Sequence, residues 1–379
     1  MKIHVMTLTQ FKEQFNKNSD YIHFNNSGQA PISENYRQKA VEWLNRFYSE
    51  AAFCSQSGWA QTDVTRKMIA DFVNAEPEEV SFFQTTASAI SQAALGIRLS
   101  KGDEILTWDQ EYPSNFYPWR IAAEKAGAKL IQISSDHYET PFQKLLDHVT
   151  DKTKVIAVSW VQFVSGAVTD LKALSTALQG RNIWLVADVI QGLGVRPFNF
   201  KDSGFDIICC GSHKWLCSGL GAAFMVTKQH RLSEILPIEY GSMTYGDPDT
   251  PKSFTSATKT SSLKFEPGSK SMIEIIAMQE SLKLFSATGV ETIFAEASRL
   301  ADVLRKELIR RNFIVRRPHS GPIVSFETGN AVQDRELFKL LLSQKISVAF
   351  RGAGIRVSIH GFNHDHEVQR LIEVLSTVK

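Results

Sequence analysis

The chain predicts an α/β fold: a large domain on a mostly parallel seven-stranded sheet and a smaller α+β domain at the C-terminal end. Three observations point there. From about residue 60 to 230, short runs rich in Val and Ile alternate with helical patterns. The runs are apolar almost throughout, as in strands covered on both faces. Near residue 250 the pattern changes to a long polar stretch, and strands and helices mix after it.

Taken in order, EVSFF (79–83) leads into TTASAISQAALGI, and DEILTW (103–108) into NFYPWRIAAEKAG. AKLIQI (128–133) leads into PFQKLLDHV, and KVIAVSWV (154–161) into LKALSTALQG. IWLVAD and DIICCG follow. Strands separated in this way by helices form a parallel sheet with helices on both faces. GAAFMV (221–226) returns soon after and is expected to be antiparallel. YGDPDTPKSFTSATKTSSLKFEPGSKS reads as loop. Helical patterns cover 272–286 and 289–312, and FIVRRP, PIVSFET, RELFKLLLSQ, ISVAF, IRVSIH and a final helix from about His364 complete the second unit. The expected division is an N-terminal segment, 1–20, packed on the small domain, a large domain over 21–255 and a small one over 256–379.

With 379 residues the chain is long enough for two cores. A net charge of +2 without long runs of one sign argues against nucleic acid or an anionic membrane as the main partner. The N-terminal stretch MKIHVMTLTQFKEQFNKN lacks the apolar core of a signal peptide, and no segment is apolar for long enough to span a bilayer, so a cytoplasmic location is expected. Cys54, Cys209, Cys210 and Cys217 match neither a zinc pattern nor a disulfide framework. Cys209 and Cys210, adjacent within an apolar run, should face opposite sides of one strand as small core residues. His360, His364 and His366 are expected to be a solvated helix cap rather than a metal site.

Polar residues collect where the apolar runs stop. IWLVAD ends at Asp188, and FDIICCGSHK at Lys214. Thr85 and Thr86 follow the first run, and Glu111 and Tyr112 the second. In open α/β sheets ligands sit beyond the C-terminal strand ends. A strand-end amine and a nearby carboxylate meet two demands of pyridoxal 5′-phosphate: a lysine for its aldehyde and an acid for its ring nitrogen. QTTASAIS (84–91) opens a helix and offers donors for a phosphate; the same donors would serve as a plain helix cap.

The stretch ADVIQGLG…FDIICCGSHKWL resembles the class V aminotransferases, the fold-type I group that includes cysteine desulfurases, selenocysteine lyases, kynureninase and isopenicillin-N-epimerase-like proteins. Asp188, Gln191, Ser212, His213 and Lys214 stand in the order of that signature. YIHFNNSGQAPIS, FFQTTASAISQAA, EYPSNFYPW, KFEPGSKS and IRVSIHGFNHDHEVQRLIEVL resemble further segments of the family, in order along the chain. The resemblance implies that the seven-stranded domain has the aspartate-aminotransferase fold type I, and that Lys214 holds pyridoxal 5′-phosphate as a Schiff base and moves protons, with Asp188 on the pyridine nitrogen. Gln191 would bond the ring's phenolic oxygen, and Tyr112 would stack on the ring. It gives the phosphate to Thr85, Thr86 and His213, with Ser212 beside them and Ser269 reaching in from a second subunit, so the working unit would be a homodimer with shared sites. Arg356 would clamp the α-carboxylate of an amino-acid substrate, with Asn26 and Gln162 near it and Arg351 as the competing cation.

One departure from the desulfurases of that family bears on the activity. Those enzymes need a thiol on a loop shortly before the C-terminal arginine strand, and SQKISVAFRGAGIRVSI contains no Cys. Desulfuration through a persulfide on the protein is therefore not expected. The activity implied is transamination or β-elimination of a C–S bond. Epimerisation is an alternative, and a non-catalytic binder of a phosphate ligand is the rival from another class.

Overall fold

The computed structural model describes residues 5–15, 20–246, 257–316, 321–352 and 354–376. The boundary expected at 255 lies outside the described residues, as do 1–4 and 16–19 of the expected N-terminal segment. A short helix, Leu8–Lys12, precedes a short strand, β1 (Ile22–His23). Seven strands then form one sheet: β2 (Val80–Phe83), β3 (Glu104–Trp108), β4 (Lys129–Ile133), β5 (Thr153–Ser159), β6 (Trp184–Asp188), β7 (Ile207–Gly211) and β8 (Ala223–Thr227). Their order is β2-β8-β7-β6-β5-β3-β4. All pairs from β7 to β4 are parallel; β8 runs antiparallel to both its neighbours. The antiparallel strand is thus inside the sheet, between β2 and β7, and not an addition at its edge.

Every residue of β3, β6, β7 and β8 is buried, which is why these runs read as continuously apolar. β4, at the edge, exposes Lys129 and Gln132. Cys209 and Cys210 are both buried and enter different hydrophobic clusters, one on each face of the sheet.

The second sheet is antiparallel, β12-β13-β10-β9, from β9 (Ile314–Arg316), β10 (Ile323–Glu327), β12 (Ala349–Arg351) and β13 (Gly354–Ser358). β11 (Ile346–Ser347) pairs in parallel with β1, tying the beginning of the chain to its end. Helices Val290–Arg310 and Ala331–Ser343 pack on this sheet and helix Asp365–Leu375 on both of them, while helix Met272–Thr288 packs on helices Glu34–Glu50 and Ser55–Val73. No helix among the described residues is long and apolar enough to cross a membrane.

His360 departs from expectation. It is fully buried, stacks on Phe362 at 4.7 Å between ring centroids, and places Nε2 3.1 Å from the Trp215 carbonyl oxygen. Burial holds its proton affinity down, near a pKa of about 4. It is a neutral core residue; only His364 and His366 belong to the final helix start. No group of metal-ligating side chains is found among the described residues.

Candidate active site

The C-terminal ends of β2, β3, β5, β6 and β7 open onto one cavity of about 360 Å³. Thr85, Thr86, Tyr112, Asp188, Gln191, His213, Lys214 and Arg356 line it. Parallel strands deliver their last residues to one side, so these positions converge from distant parts of the chain.

Asp188 ends β6 with its carboxylate buried, and Oδ1 accepts the backbone N–H of Ile190 at 3.0 Å. Burial raises its pKa to about 6, against the pull of that N–H and of Lys214. Lys214 follows β7. Burial lowers its pKa to about 8; Asp188 opposes the shift, and Arg356 and Arg351 reinforce it. Its Nζ lies 5.5 Å from the centroid of the Tyr112 ring. Tyr112, about 40% exposed, meets Phe163 edge-on at 5.0 Å.

The helix Thr86–Gly96 starts at the end of β2. Thr85 caps it, its hydroxyl accepting the Ser88 N–H at 3.0 Å. Thr86 differs: its hydroxyl is buried and has no hydrogen-bond partner among the described residues. Gly211 leaves the space beside it open, since a Cβ there would sit 2.6 Å from Thr86 Oγ1 and 3.3 Å from His213 Cε1. An orphan hydroxyl, a helix N-terminus and a side-chain-free backbone make an anion cradle. His213 beside it is neutral, because burial and then Lys214 lower its pKa to about 4.

Gln191 is fixed from both ends: Nε2 donates to the Ser27 carbonyl and Oε1 accepts Trp215 Nε1–H, each at 3.0 Å. Arg356, on β13, is buried. Its Nη1 donates to the Phe163 carbonyl at 2.7 Å and its Nη2 to Asn25 Oδ1 at 3.1 Å, while Nε has no partner among the described residues. Burial, then the neighbouring Arg351, bring its pKa down to about 9.

Four expected residues do not line this cavity. Asn26 donates through Nδ2 to the carbonyls of Ser358 and His23, which ties β1 to β13; its neighbour Asn25 meets Arg356 instead. Gln162 is buried and donates to Glu111 Oε1 at 2.8 Å. The Ser212 hydroxyl lies within hydrogen-bond reach of the Gly219 and Ala222 carbonyls. Ser269 lines a separate cavity with Gln84, Ser88 and Lys270. Ser27 and Phe163 line the active cavity without having been singled out as ligand contacts, and Arg351, weighed against Arg356 for the α-carboxylate, lines it as well. The burial of Ser27 and the half-burial of Phe163 beside polar strand ends depend on long-range packing that no local pattern announces. Arg351, five residues before Arg356, was the detectable one.

Glu111, the residue before Tyr112, is buried in a closed network. Its carboxylate accepts the Ser159 N–H at 2.7 Å, the Ser159 hydroxyl at 2.5 Å, Gln162 at 2.8 Å and Asn115 at 2.9 Å. These bonds join the loop after β3 to the end of β5.

The family model for aminotransferase class-V matches residues 23–371. A probable cysteine desulfurase of Mycoplasma pneumoniae is 24% identical over 397 aligned positions, covering 97% of this chain and 95% of its own. In three dimensions, the cysteine desulfurase CsdA of Escherichia coli superposes with a TM-score of 0.88 at 20% identity, over 99% of this chain and 98% of its own. The C-DES protein, solved with glycine covalently linked to its PLP cofactor, superposes with a TM-score of 0.89 at 19% identity, over 97% and 99%. At such identities the superpositions speak for the fold. The family match spans almost the entire chain and includes every strand end that lines the cavity; the protein belongs to the class-V aminotransferases.

Proposed function

We propose that this protein is a pyridoxal-5′-phosphate enzyme that takes the α-proton from an amino acid and eliminates its β-substituent across a C–S bond. One observation carries the reading: a buried acid and an amine of lowered proton affinity end adjacent strands on one cavity, which also holds an anion cradle and a buried guanidinium. The residues fit the cofactor. The unpaired Thr86 hydroxyl, the helix N-terminus and the open space at Gly211 suit its phosphate, Asp188 its ring nitrogen and Lys214 its aldehyde. When bound, the cofactor supplies the electron sink for charge developed at the substrate α-carbon.

The chain does the rest. Arg356 binds the α-carboxylate by a charge-assisted pair. The Lys214 amine, with a pKa of about 8, is substantially neutral near pH 8 and accepts the α-proton. Tyr112 covers the side of the cavity next to that amine.

Elimination is favoured over desulfuration on a protein thiol because all four cysteines are buried and none lies in the Lys345–Ser358 segment. Transamination needs the same groups, and the product decides between them. We further infer a cytoplasmic homodimer: free thiols suit a reducing compartment, and Ser269, outside its own chain's cavity, is available to a partner.

Protein loaded with the cofactor should become yellow, and borohydride should fix the label on Lys214 by peptide mass spectrometry. Cysteine conjugates should then release pyruvate and ammonia, and Lys214→Ala should lose turnover by more than about a thousand-fold while retaining cofactor. A protein that takes up no cofactor is not such an enzyme, and would instead be a binder of some other phosphate ligand. Keto-acid formation with retention of the side chain would place it among transaminases.

A further inference from the structure

We propose that Arg351 is a second anion-binding residue of the active cavity, and that the amino acid it selects carries a distal carboxylate or similar oxyanion in addition to its α-carboxylate. The inference rests on the amino-acid reading above and adds the chemical class of substrate.

β12 and β13 form a hairpin in which Ala349 stands opposite Arg356. Arg351 lies two residues beyond Ala349 and so projects from the same side of the strand. Both arginines reach the cavity lining, Arg356 buried and Arg351 exposed. Diagonal neighbours on such a hairpin are about 7 Å apart at the backbone, close enough for two long side chains to grip the two ends of one small molecule.

The charges there are not balanced. Elsewhere, four buried or partly buried arginines have carboxylates: Arg66 has Glu266, Arg231 has Asp206, Arg305 has Asp302 and Arg316 has Glu327. Among the described residues neither Arg351 nor Arg356 forms an ion pair. Arg351 donates to the adjacent Phe350 carbonyl at 3.0 Å, and Arg356 to neutral oxygens. Among the described residues the cavity lining presents Lys214, Arg351 and Arg356 against the single carboxylate of Asp188. Arg351 also disfavours the charge on Arg356 and on Lys214. The α-carboxylate relieves the buried guanidinium and leaves its neighbour unpaired. A second anionic group, on the leaving half in an elimination or on the retained side chain in a transamination, pairs it.

Amino acids and their amides separate charge from size. With cofactor-loaded protein, absorbance titrations should give L-glutamate at least about ten-fold tighter binding than L-glutamine, and L-aspartate likewise over L-asparagine, a typical worth for one guanidinium–carboxylate pair. Arg351→Gln should bring each acid to the affinity of its amide while the amides change less than about two-fold, and Arg351→Lys should retain part of the preference. Equal affinities for acid and amide in the natural protein, no binding by either, or an equal loss of both in Arg351→Gln would overturn the proposal; the last outcome would put both arginines on one α-carboxylate. If no cofactor loads, the enzyme reading has failed by itself. Calorimetric titration of the cofactor-free protein with glutarate and glutaramate then still decides on Arg351, with equal affinity or no binding counting against it.

Discussion

Lys214 sits between opposing influences. Burial and two guanidiniums drive its proton off, and Asp188 holds it, with a pKa of about 8 as the result. Cofactor uptake requires the neutral amine, so its rate should rise through pH 8 and level off about one unit higher, as stopped-flow absorbance would show. Arg351→Gln removes one of the repelling charges and should move that midpoint upward. Glu111 has its pKa raised from 4.5 to about 7, chiefly by burial, with the Ser159, Asn115 and Gln162 hydrogen bonds opposing. An acid whose folded pKa is raised binds its proton more tightly folded than unfolded. Its stabilising contribution is therefore full below about pH 4.5 and is lost as pH rises through 7. Glu111→Gln cannot titrate, so its stability should gain on that of the natural protein by up to about 3 kcal/mol across that window, measured by urea unfolding at a series of pH values. A difference between the two that stays constant with pH would show that folding leaves the Glu111 pKa at its ordinary value.

At the level of elements, the start of helix Thr86–Gly96 divides two tasks between adjacent threonines. Thr85 satisfies the helix itself, and Thr85→Ala should cost about 1 kcal/mol of cofactor-free stability. Thr86 contributes no hydrogen bond within the described residues, so Thr86→Val should leave that stability within about 1 kcal/mol yet weaken cofactor binding at least about ten-fold. Denaturant curves and cofactor titrations on the two variants should therefore rank them in opposite orders. Sequence reading found this helix start easily, because a strand followed by Gln-Thr-Thr is local information. It missed the role of Asn25, which reaches Arg356 because β1 is pinned beside β11 and bridged to Ser358 more than three hundred residues away.

Across the whole molecule, the burial of every cysteine has a chemical consequence. The folded protein should resist alkylation at all four thiols, counted by intact mass, and retain its turnover of cysteine conjugates; the urea-unfolded chain should take up four labels. Loss of activity on labelling a single thiol would restore a persulfide route. The proposed homodimer should sediment at twice the 42.5 kDa chain mass.

By itself the sequence determined the strand–helix alternation, the parallel character of most of the sheet and the convergence of Thr85, Thr86, Tyr112, Asp188, Gln191 and Lys214, since strand ends and apolar runs are read from neighbouring residues. Tertiary structure alone decided that β8 enters the middle of the sheet, that His360 is a core residue and that Ser212 and Gln162 turn to partners inside the protein. It also decided that Arg351 and Arg356 face one cavity without a carboxylate between them. Those outcomes follow from desolvation and hydrogen-bond satisfaction between groups far apart in the chain, and a side chain's solvent and partners are set only when the distant surface that covers it has folded into place.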